Sequence, residues 1–128
     1  SGGENVEPSH VEAALLASPL INQAIVVGQD RKTLAALVLP DAAALAEAMG
    51  LTDEPAAAEL ATRADVKDAM KAEAVRATSG LLPFERIARI AVLPEALDVA
   101  SGCLTQTLKL KRHVITQRYG ELIDQAYG

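Results

Sequence analysis

Apolar positions in the first third of the chain predict a helix followed by a β-hairpin. The helix covers about residues 10–17, where Ser9 and Glu12 are spaced as a capping box. It ends before Pro19, because proline cannot continue a helix. Residues 21–28 and 33–39 are apolar at nearly every position and are joined by a polar segment. We therefore expect two antiparallel strands that are buried on both faces.

The rest of the chain predicts further helices around one or two more strands. Asp41 caps an alanine-rich helix that runs to Gly50, and a longer helical region covers about residues 55–79. Thr62 and Asp65 are its candidate caps, and Gly80 is its candidate left-handed C-terminal residue. The remaining predicted elements are a strand over 87–93, a loop over 94–102, a strand-like segment over 104–110 and a final helix with one apolar face: Val114, Ile115, Tyr119, Leu122, Ile123, Ala126.

This order of elements predicts an α+β fold in a single domain spanning residues 1–128. Three or four strands and four or five helices in mixed order indicate a small two-layer domain, with a short mixed sheet, a β-hairpin and helices packed on it. The chain has 128 residues, half of them apolar, which leaves no room for a second domain of similar size.

Charge and aromatic content disfavour a nucleic-acid-binding surface. The net charge is −5, with −7 over residues 1–100 and +2 over residues 101–128. An acidic average surface repels phosphate backbones. Only 2% of the residues are aromatic, which leaves little surface for stacking on bases. No nucleic-acid partner is therefore expected.

The few thiol and imidazole groups exclude most metal and nucleophile chemistry. Cys103 is the only cysteine, which excludes an internal disulfide and favours a reducing, cytoplasmic compartment. We expect Cys103 to be a solvated or half-buried thiol. His10 and His113 have no partner at metal-ligand spacing, so no metal site is predicted. The longest uncharged stretch, residues 13–29, is interrupted by polar residues and Pro19, so no transmembrane segment is expected.

The threonine- and lysine-rich segment 104–112 is the remaining candidate for chemistry. Its residues alone allow two interpretations. It can be an edge strand whose outward lysines prevent edge-to-edge pairing. Alternatively, one lysine is presented on a loop tip to a negatively charged reacting group, a role that suits a compact charge on a long stem.

At this point the sequence resembles the adenylate-forming acyl-CoA synthetases. Residues 2–8, followed by Val11 and Glu12, are similar to the loop after the hinge of these enzymes. Residues 104–112 are similar to their C-terminal lysine motif in its long-chain fatty-acid version. Many relatives have glycine before the lysine, whereas this chain has Leu108. The two motifs lie at opposite ends, so the resemblance covers essentially the whole chain.

The resemblance implies the mobile C-terminal lid domain of an AMP-forming long-chain fatty-acid–CoA ligase, an acid–thiol ligase. ATP, Mg²⁺ and the fatty acid would be held mainly by a large N-terminal domain of the same polypeptide, which is not part of this sequence. CoA would be the co-substrate and an acyl-adenylate the intermediate. The isolated domain is then expected to be inactive.

The resemblance also implies roles for individual residues. Lys109 aligns with the catalytic lysine of adenylation. After domain rotation, a loop containing Gly2, Gly3 and Glu4 would replace it at the active site for thioester formation. Supporting contacts to phosphate or CoA are implied for three residues: Thr107, Lys111, Arg112.

Two alternatives stay open at this point. The acceptor of the acyl group can be a carrier protein instead of CoA, as in a fatty-acyl-AMP ligase. A non-catalytic adaptor domain could instead use the basic segment 109–112 to dock an acidic partner or a membrane, so peripheral membrane contact also stays open.

Overall fold

The chain folds around a three-stranded mixed sheet in the order β1-β2-β3. The structure is a computed structural model that describes residues 5–128. The elements are α1 (Pro8–Leu16), β1 (Ile21–Val27), β2 (Leu34–Pro40), α2 (Ala42–Met49), α3 (Ala57–Leu60), α4 (Ala64–Ala77), a 3₁₀ turn (Pro83–Glu85), β3 (Ile87–Val92), α5 (Arg112–Arg118) and α6 (Gly120–Tyr127).

The predicted hairpin forms the first half of the sheet. β1 pairs antiparallel with β2, and its register shifts between Ile21 and Gln23. β3 then adds parallel to β2, so that β2 is the central strand and β1 is an edge. All seven residues of β2 are buried, as expected for a strand covered on both faces.

Helices cover both faces of this sheet. The side chains of one face form a core with α1 and α4, among them Val11, Leu15 and Met70. Those of the other face form a second core with the C-terminal helices, including Ile115 and Tyr119. The α+β class, the short mixed sheet and the hairpin are thus confirmed. The C-terminal helices add a layer to the expected two because alternate side chains of β2 are apolar on both sides.

Some predicted helix ends are confirmed. The Asp41 carboxylate accepts a hydrogen bond from the Ala44 amide at 3.0 Å, and Gly50 ends α2 with a φ of 70°. The capping box of Ser9 and Glu12 is wrong. α1 begins earlier, with Glu7 at its N-cap, and the Ser9 hydroxyl donates to the Glu7 carboxylate instead. Glu12 is buried and binds other partners, which are described below.

The helical region 55–79 differs from the prediction at its caps. It is divided into α3 and α4, and Arg63 is the N-cap of α4 without a side-chain hydrogen bond, so neither Thr62 nor Asp65 caps it. The helix ends at Thr78, whose hydroxyl donates to the Ala74 carbonyl at 2.9 Å. Gly80 does not have a positive φ, because the chain leaves the helix through Thr78.

Two C-terminal predictions are also corrected. Residues 104–110 form no strand; they make a single antiparallel bridge between Leu104 and Leu110 around a tight turn. The final helix is divided into α5 and α6 at Tyr119, whose φ and ψ of −110° and 25° are not helical. Because of this turn, residues 103–111 form one loop between β3 and α5.

Candidate functional site

Residues 103–111 form a closed loop, called the lysine loop below. At its base, the Lys111 amide donates to the Cys103 carbonyl at 2.8 Å. One step further, the Thr105 amide donates to the Lys109 carbonyl at 2.8 Å, and the Lys109 amide donates to the Thr105 hydroxyl at 3.0 Å. The Leu108 amide closes the turn on the Thr105 carbonyl at 2.8 Å. The backbone of Lys109 is therefore fixed from both sides by one threonine.

Leu108 takes the conformation that the turn requires. Its φ is 66°, the only positive value of a non-glycine residue in the described part of the chain. This is the position at which the resemblance expects glycine, which adopts such values without steric cost. The Leu108 side chain is 69% exposed, so no packing contact explains the choice of leucine.

Lys109 follows this turn directly and is exposed. Over residues 5–128, its ammonium group takes part in none of the ion pairs and in no side-chain hydrogen bond. Because residues 104–110 form a turn and not a strand, the edge-strand interpretation of this lysine is wrong. The geometry is that of a cation presented on a loop.

A second set of hydrogen bonds holds the approach to the lysine loop against β1. The Gln23 side chain binds the backbone of Leu97 twice, through its amide nitrogen at 3.0 Å and its oxygen at 2.7 Å. The Leu104 amide donates to the Asp98 carbonyl at 3.1 Å. Hydrogen bonds from the Ser101 backbone and hydroxyl hold the pKa of the Asp98 carboxyl below its usual value. Hydrogen bonds thus fix the loop 94–102 to β1 and to itself.

The C-terminal end of the lysine loop is held by a buried carboxylate. Two guanidinium nitrogens of Arg112 each donate to a different oxygen of Glu12, both at 2.6 Å. The Glu12 carboxylate also accepts a hydrogen bond from the Val26 amide, on the outer edge of β1, at 2.8 Å. Glu12 is only 5% exposed. Its hydrogen bonds raise the pKa of the Arg112 guanidinium.

The other candidate residues have different surroundings. Thr107 and Lys111 are exposed on the lysine loop, and the Thr107 hydroxyl lies 3.2 Å from that of Thr105. Gly2, Gly3 and Glu4 lie outside the described residues.

The Cys103 thiol is fully buried, so the expectation of a solvated or half-buried thiol is wrong. The peptide of Cys103 sits at the base of the lysine loop, and its side chain belongs to the core that contains Ile115 and Tyr119. A thiol without solvent access is no candidate nucleophile.

Residues 5–128 contain neither a cluster of metal ligands nor a helix that could span a membrane. Between residues 5 and 128, no three His, Cys, Asp or Glu side chains come together in a way that could hold a metal ion. None of the helices found there is both long and apolar enough to cross a bilayer; the longest has 14 residues.

Comparison with known proteins decides the family. The model of the AMP-binding enzyme C-terminal domain matches residues 1–128. The chain belongs to this family. It is thus the C-terminal domain of an adenylate-forming enzyme, in agreement with the resemblance seen in its two motifs.

The AMP-binding enzyme C-terminal domain has relatives among fatty-acid ligases. It is 36% identical to long-chain-fatty-acid–CoA ligase 1 of Cavia porcellus, over 98% of the chain and 19% of that protein. It is 28% identical to the chloroplastic long-chain-fatty-acid–[acyl-carrier-protein] ligase AEE15 of Arabidopsis thaliana, over 100% of the chain and 16% of that protein. The domain therefore spans less than a fifth of the length of these two relatives.

A solved structure supports the fold of the domain. The A-PCP didomain of carboxylic acid reductase from Segniliparus rugosus, in complex with AMP, matches with a TM-score of 0.77 and 28% identity, over 99% of this chain and 16% of that one. Its match extends over both halves of the mixed sheet and the lysine loop, because nearly all of the chain is covered.

Sequence reasoning missed the residues that fix the site of this AMP-binding enzyme C-terminal domain. Glu12, Gln23 and Thr105 all hold backbone or guanidinium groups next to the lysine loop. The available signals were weak: Glu12 lies beside the apolar Val11 on its helix, and Gln23 interrupts an apolar strand. A polar side chain in an apolar segment indicates a buried partner but does not identify it.

Proposed function

We propose that the domain belongs to an AMP-forming long-chain fatty-acid–CoA ligase and supplies Lys109 as a catalytic residue of adenylation. The single observation that carries this proposal is the exposed Lys109, whose ammonium group has no partner among residues 5–128, on a backbone that Thr105 fixes from both sides. A structural lysine has no need of such a fixed presentation. A lysine that must reach reacting atoms in another domain does.

The role proposed for Lys109 follows from the charges of adenylation. A carboxylate oxygen of the fatty acid attacks the α-phosphorus of ATP, and pyrophosphate leaves with the electrons of the broken phosphorus–oxygen bond. The carboxylate and the triphosphate are both anionic, so their approach is electrostatically unfavourable. An ammonium group between the carboxylate and the α-phosphate oxygens reduces this repulsion and holds the nucleophile in line.

The second half-reaction requires a different residue set. The CoA thiol attacks the acyl carbonyl carbon of the acyl-adenylate, gives its proton to solvent or a base, and AMP leaves. We propose that the domain rotates between the two steps, so that the loop containing Gly2, Gly3 and Glu4 replaces Lys109. Glycines suit this loop because they allow backbone to approach a substrate closely. Thr107 and Lys111 are proposed to support phosphate or CoA.

An exposed apolar surface beside the lysine loop fits contact with a larger domain. Leu16 and Leu108 line the same groove and are 48% and 69% exposed. Apolar side chains left uncovered next to a reactive group indicate a surface that another protein surface covers. ATP, Mg²⁺ and the fatty acid would be bound mainly by that domain.

The decisive experiment is Lys109→Ala in the full-length polypeptide that carries this domain. Fatty-acid-dependent pyrophosphate release should fall about 10²–10³-fold, because one preorganised charged group of the transition state is lost. Lys71→Ala, which removes an exposed lysine from α4, is the matched control and should keep the wild-type rate. Adenylation by Lys109→Ala at the wild-type rate would refute the proposal.

The proposed acceptor is CoA, and it needs its own test. The relatives include proteins named as CoA ligases and one named as an acyl-carrier-protein ligase, so both acceptors have to be compared. The full-length enzyme should form thioester with CoA faster than with a phosphopantetheinylated carrier protein. The opposite order would replace the CoA ligase with a carrier-loading ligase, and no thioester with either would favour the adaptor alternative.

A further inference from the structure

The contact between Glu12 and Arg112 joins parts of the chain that are 100 residues apart. Arg112 is the first residue of α5 and the third after Lys109, so it marks the C-terminal end of the lysine loop. Glu12 lies in the middle of α1. Among the described residues, no other ion pair connects the lysine loop or its flanking residues to the rest of the domain.

The ion pair between Glu12 and Arg112 fixes the relative orientation of the two side chains as well as neutralising their charges. The two guanidinium nitrogens and the two carboxylate oxygens form a planar fork, which holds both side chains in one relative orientation. The Val26 amide adds a third hydrogen bond to the same carboxylate and ties it to the edge of the sheet. These two hydrogen bonds pair Arg112 with Glu12 in the described residues.

We propose that Glu12 and Arg112 are positioning residues for adenylation, which hold the lysine loop so that the Lys109 ammonium meets the reacting oxygens. This inference rests on the proposed function of Lys109. The turn hydrogen bonds of Thr105 fix the shape of the lysine loop, whereas the fork fixes its place on the domain. Both are needed, because a displacement of about 1 Å in a reacting group can cost about 10²-fold in rate.

The test uses a substitution that removes the fork without leaving a buried charge. Replacing only one partner would strand the other, whereas an apolar pair of similar volume is often tolerated. The variant is therefore Glu12→Leu with Arg112→Met in the full-length enzyme. The kcat of adenylation should fall about 10–100-fold, with the KM values for ATP and fatty acid within about 3-fold. Thioester formation from supplied acyl-adenylate should stay within about 3-fold of wild type.

A second pair in the same domain is the matched control. Glu73 and Arg76 also form a two-bond fork, at 2.8 and 2.7 Å, and Glu73 also accepts a hydrogen bond from the hydroxyl of Ser18, which follows α1. None of the hydrogen bonds of this pair reaches the lysine loop. Glu73→Leu with Arg76→Met should therefore leave both half-reactions within about 3-fold of wild type. A fall in adenylation as large as that of the first variant would mean that any lost fork acts through stability, and would overturn the inference.

Combining the substitutions with Lys109→Ala separates this inference from the proposed function. If the fork acts through Lys109, its removal in the Lys109→Ala background should change adenylation by less than about 3-fold, because nothing is left to position. A further loss of the full 10–100-fold, with Lys109→Ala itself impaired, overturns the positioning role alone. Full adenylation activity of Lys109→Ala overturns the proposed function and this inference with it.

A conservative variant covers the case in which the apolar pair does not fold. Arg112→Lys keeps the positive charge near Glu12 but cannot form the planar fork. Its adenylation rate should lie between those of wild type and a variant without a cation at this position, and the same comparison in the Lys109→Ala background applies. Wild-type adenylation by folded Arg112→Lys would overturn the need for a fork.

Discussion

Leu108 combines an unfavourable backbone conformation with an exposed side chain. A φ of 66° brings the Cβ of an L-residue close to its own backbone, at a cost of about 1–2 kcal/mol. Leu108 is 69% exposed, so packing within the domain offsets little of this cost. The hydrogen bonds of Thr105 therefore stabilise this unfavourable conformation of Leu108, which directly precedes the proposed catalytic residue.

The strain at Leu108 can be measured by two substitutions at the same position. Leu108→Gly should have a free energy of unfolding about 0.5–1 kcal/mol higher than Leu108→Ala, because glycine adopts a positive φ freely and this outweighs its larger loss of entropy. Urea unfolding of both variants provides the measurement.

Gln106 provides the control for this comparison, since its φ is not positive. There, glycine should be less stable than alanine, because only the entropy of the unfolded chain differs. If the glycine and alanine variants had the same order of stability at Gln106 as at Leu108, the backbone of Leu108 would not be strained.

The residues of the site differ in how well a sequence indicates them. Lys109 could be identified because its threonine- and lysine-rich surroundings form a local motif. Glu12 and Arg112 could not be paired, since a contact across 100 residues leaves no local pattern. The spacing of Ser9 and Glu12 even favoured a wrong local partner, because it matches a capping box, although α1 begins earlier and Glu12 lies in its middle.

At the scale of elements, the hairpin β1–β2 depends on a close approach at its turn. Gly28 has a φ of 86°, and a Cβ added there would lie 1.8 Å from the hydroxyl of Tyr127, near the end of α6. That hydroxyl donates to the Thr33 carbonyl at 2.6 Å, and the guanidinium carbon of Arg31 lies 4.3 Å from the ring centroid. Tyr127 thus holds the last helix on the first hairpin, together with the ion pair between Arg31 and Asp124.

Gly28→Ala and Gly50→Ala should separate a steric clash from backbone strain. Both glycines have a positive φ, but a Cβ at Gly50 meets no atom within 4 Å. Gly50→Ala should therefore lower the free energy of unfolding by about 1 kcal/mol, and Gly28→Ala by about 2–3 kcal/mol, because Tyr127 must also leave its hydrogen bond. Unfolding in urea measures both losses.

A third variant tests the cause of the difference. In a Tyr127→Ala background, the loss caused by Gly28→Ala should shrink towards that of Gly50→Ala, since only the Thr33 carbonyl oxygen, 3.3 Å from the added Cβ, is left close to it. If Gly28→Ala lowered the free energy of unfolding equally with and without Tyr127, a clash with Tyr127 would not be the cause of the destabilisation.

The sequence predicted elements well where hydrophobic periodicity alone defines them. The hairpin, α2 and β3 are mostly apolar, and their bounds are close to those expected. Residues 104–110 alternate like a strand, but Thr105 uses both its backbone and its hydroxyl to close a turn instead. Periodicity cannot report such a side-chain contact. It also missed the division of the last helix at Tyr119, where the apolar face continues although the backbone is not helical.

At the scale of the whole molecule, two proposed loops share one support. Glu12 lies in α1, the first helix after the segment that contains Gly2, Gly3 and Glu4, and it binds Arg112 at the end of the lysine loop. A rigid connection of this kind would let a single rotation of the domain withdraw one loop as it brings in the other. Each loop should then serve only one half-reaction.

Gly3→Val and Lys109→Ala in the full-length enzyme should therefore give opposite defects. Gly3→Val should slow thioester formation from supplied acyl-adenylate by at least about 10-fold, because a branched side chain keeps the backbone away from the substrate, and pyrophosphate release should stay within about 3-fold. Lys109→Ala should show the reverse pattern. Gly80→Val, where an added Cβ meets no atom within 4 Å, controls for the substitution itself. If Gly3→Val slowed both half-reactions equally, the two loops would not alternate, because both half-reactions would then depend on the same arrangement of the domains.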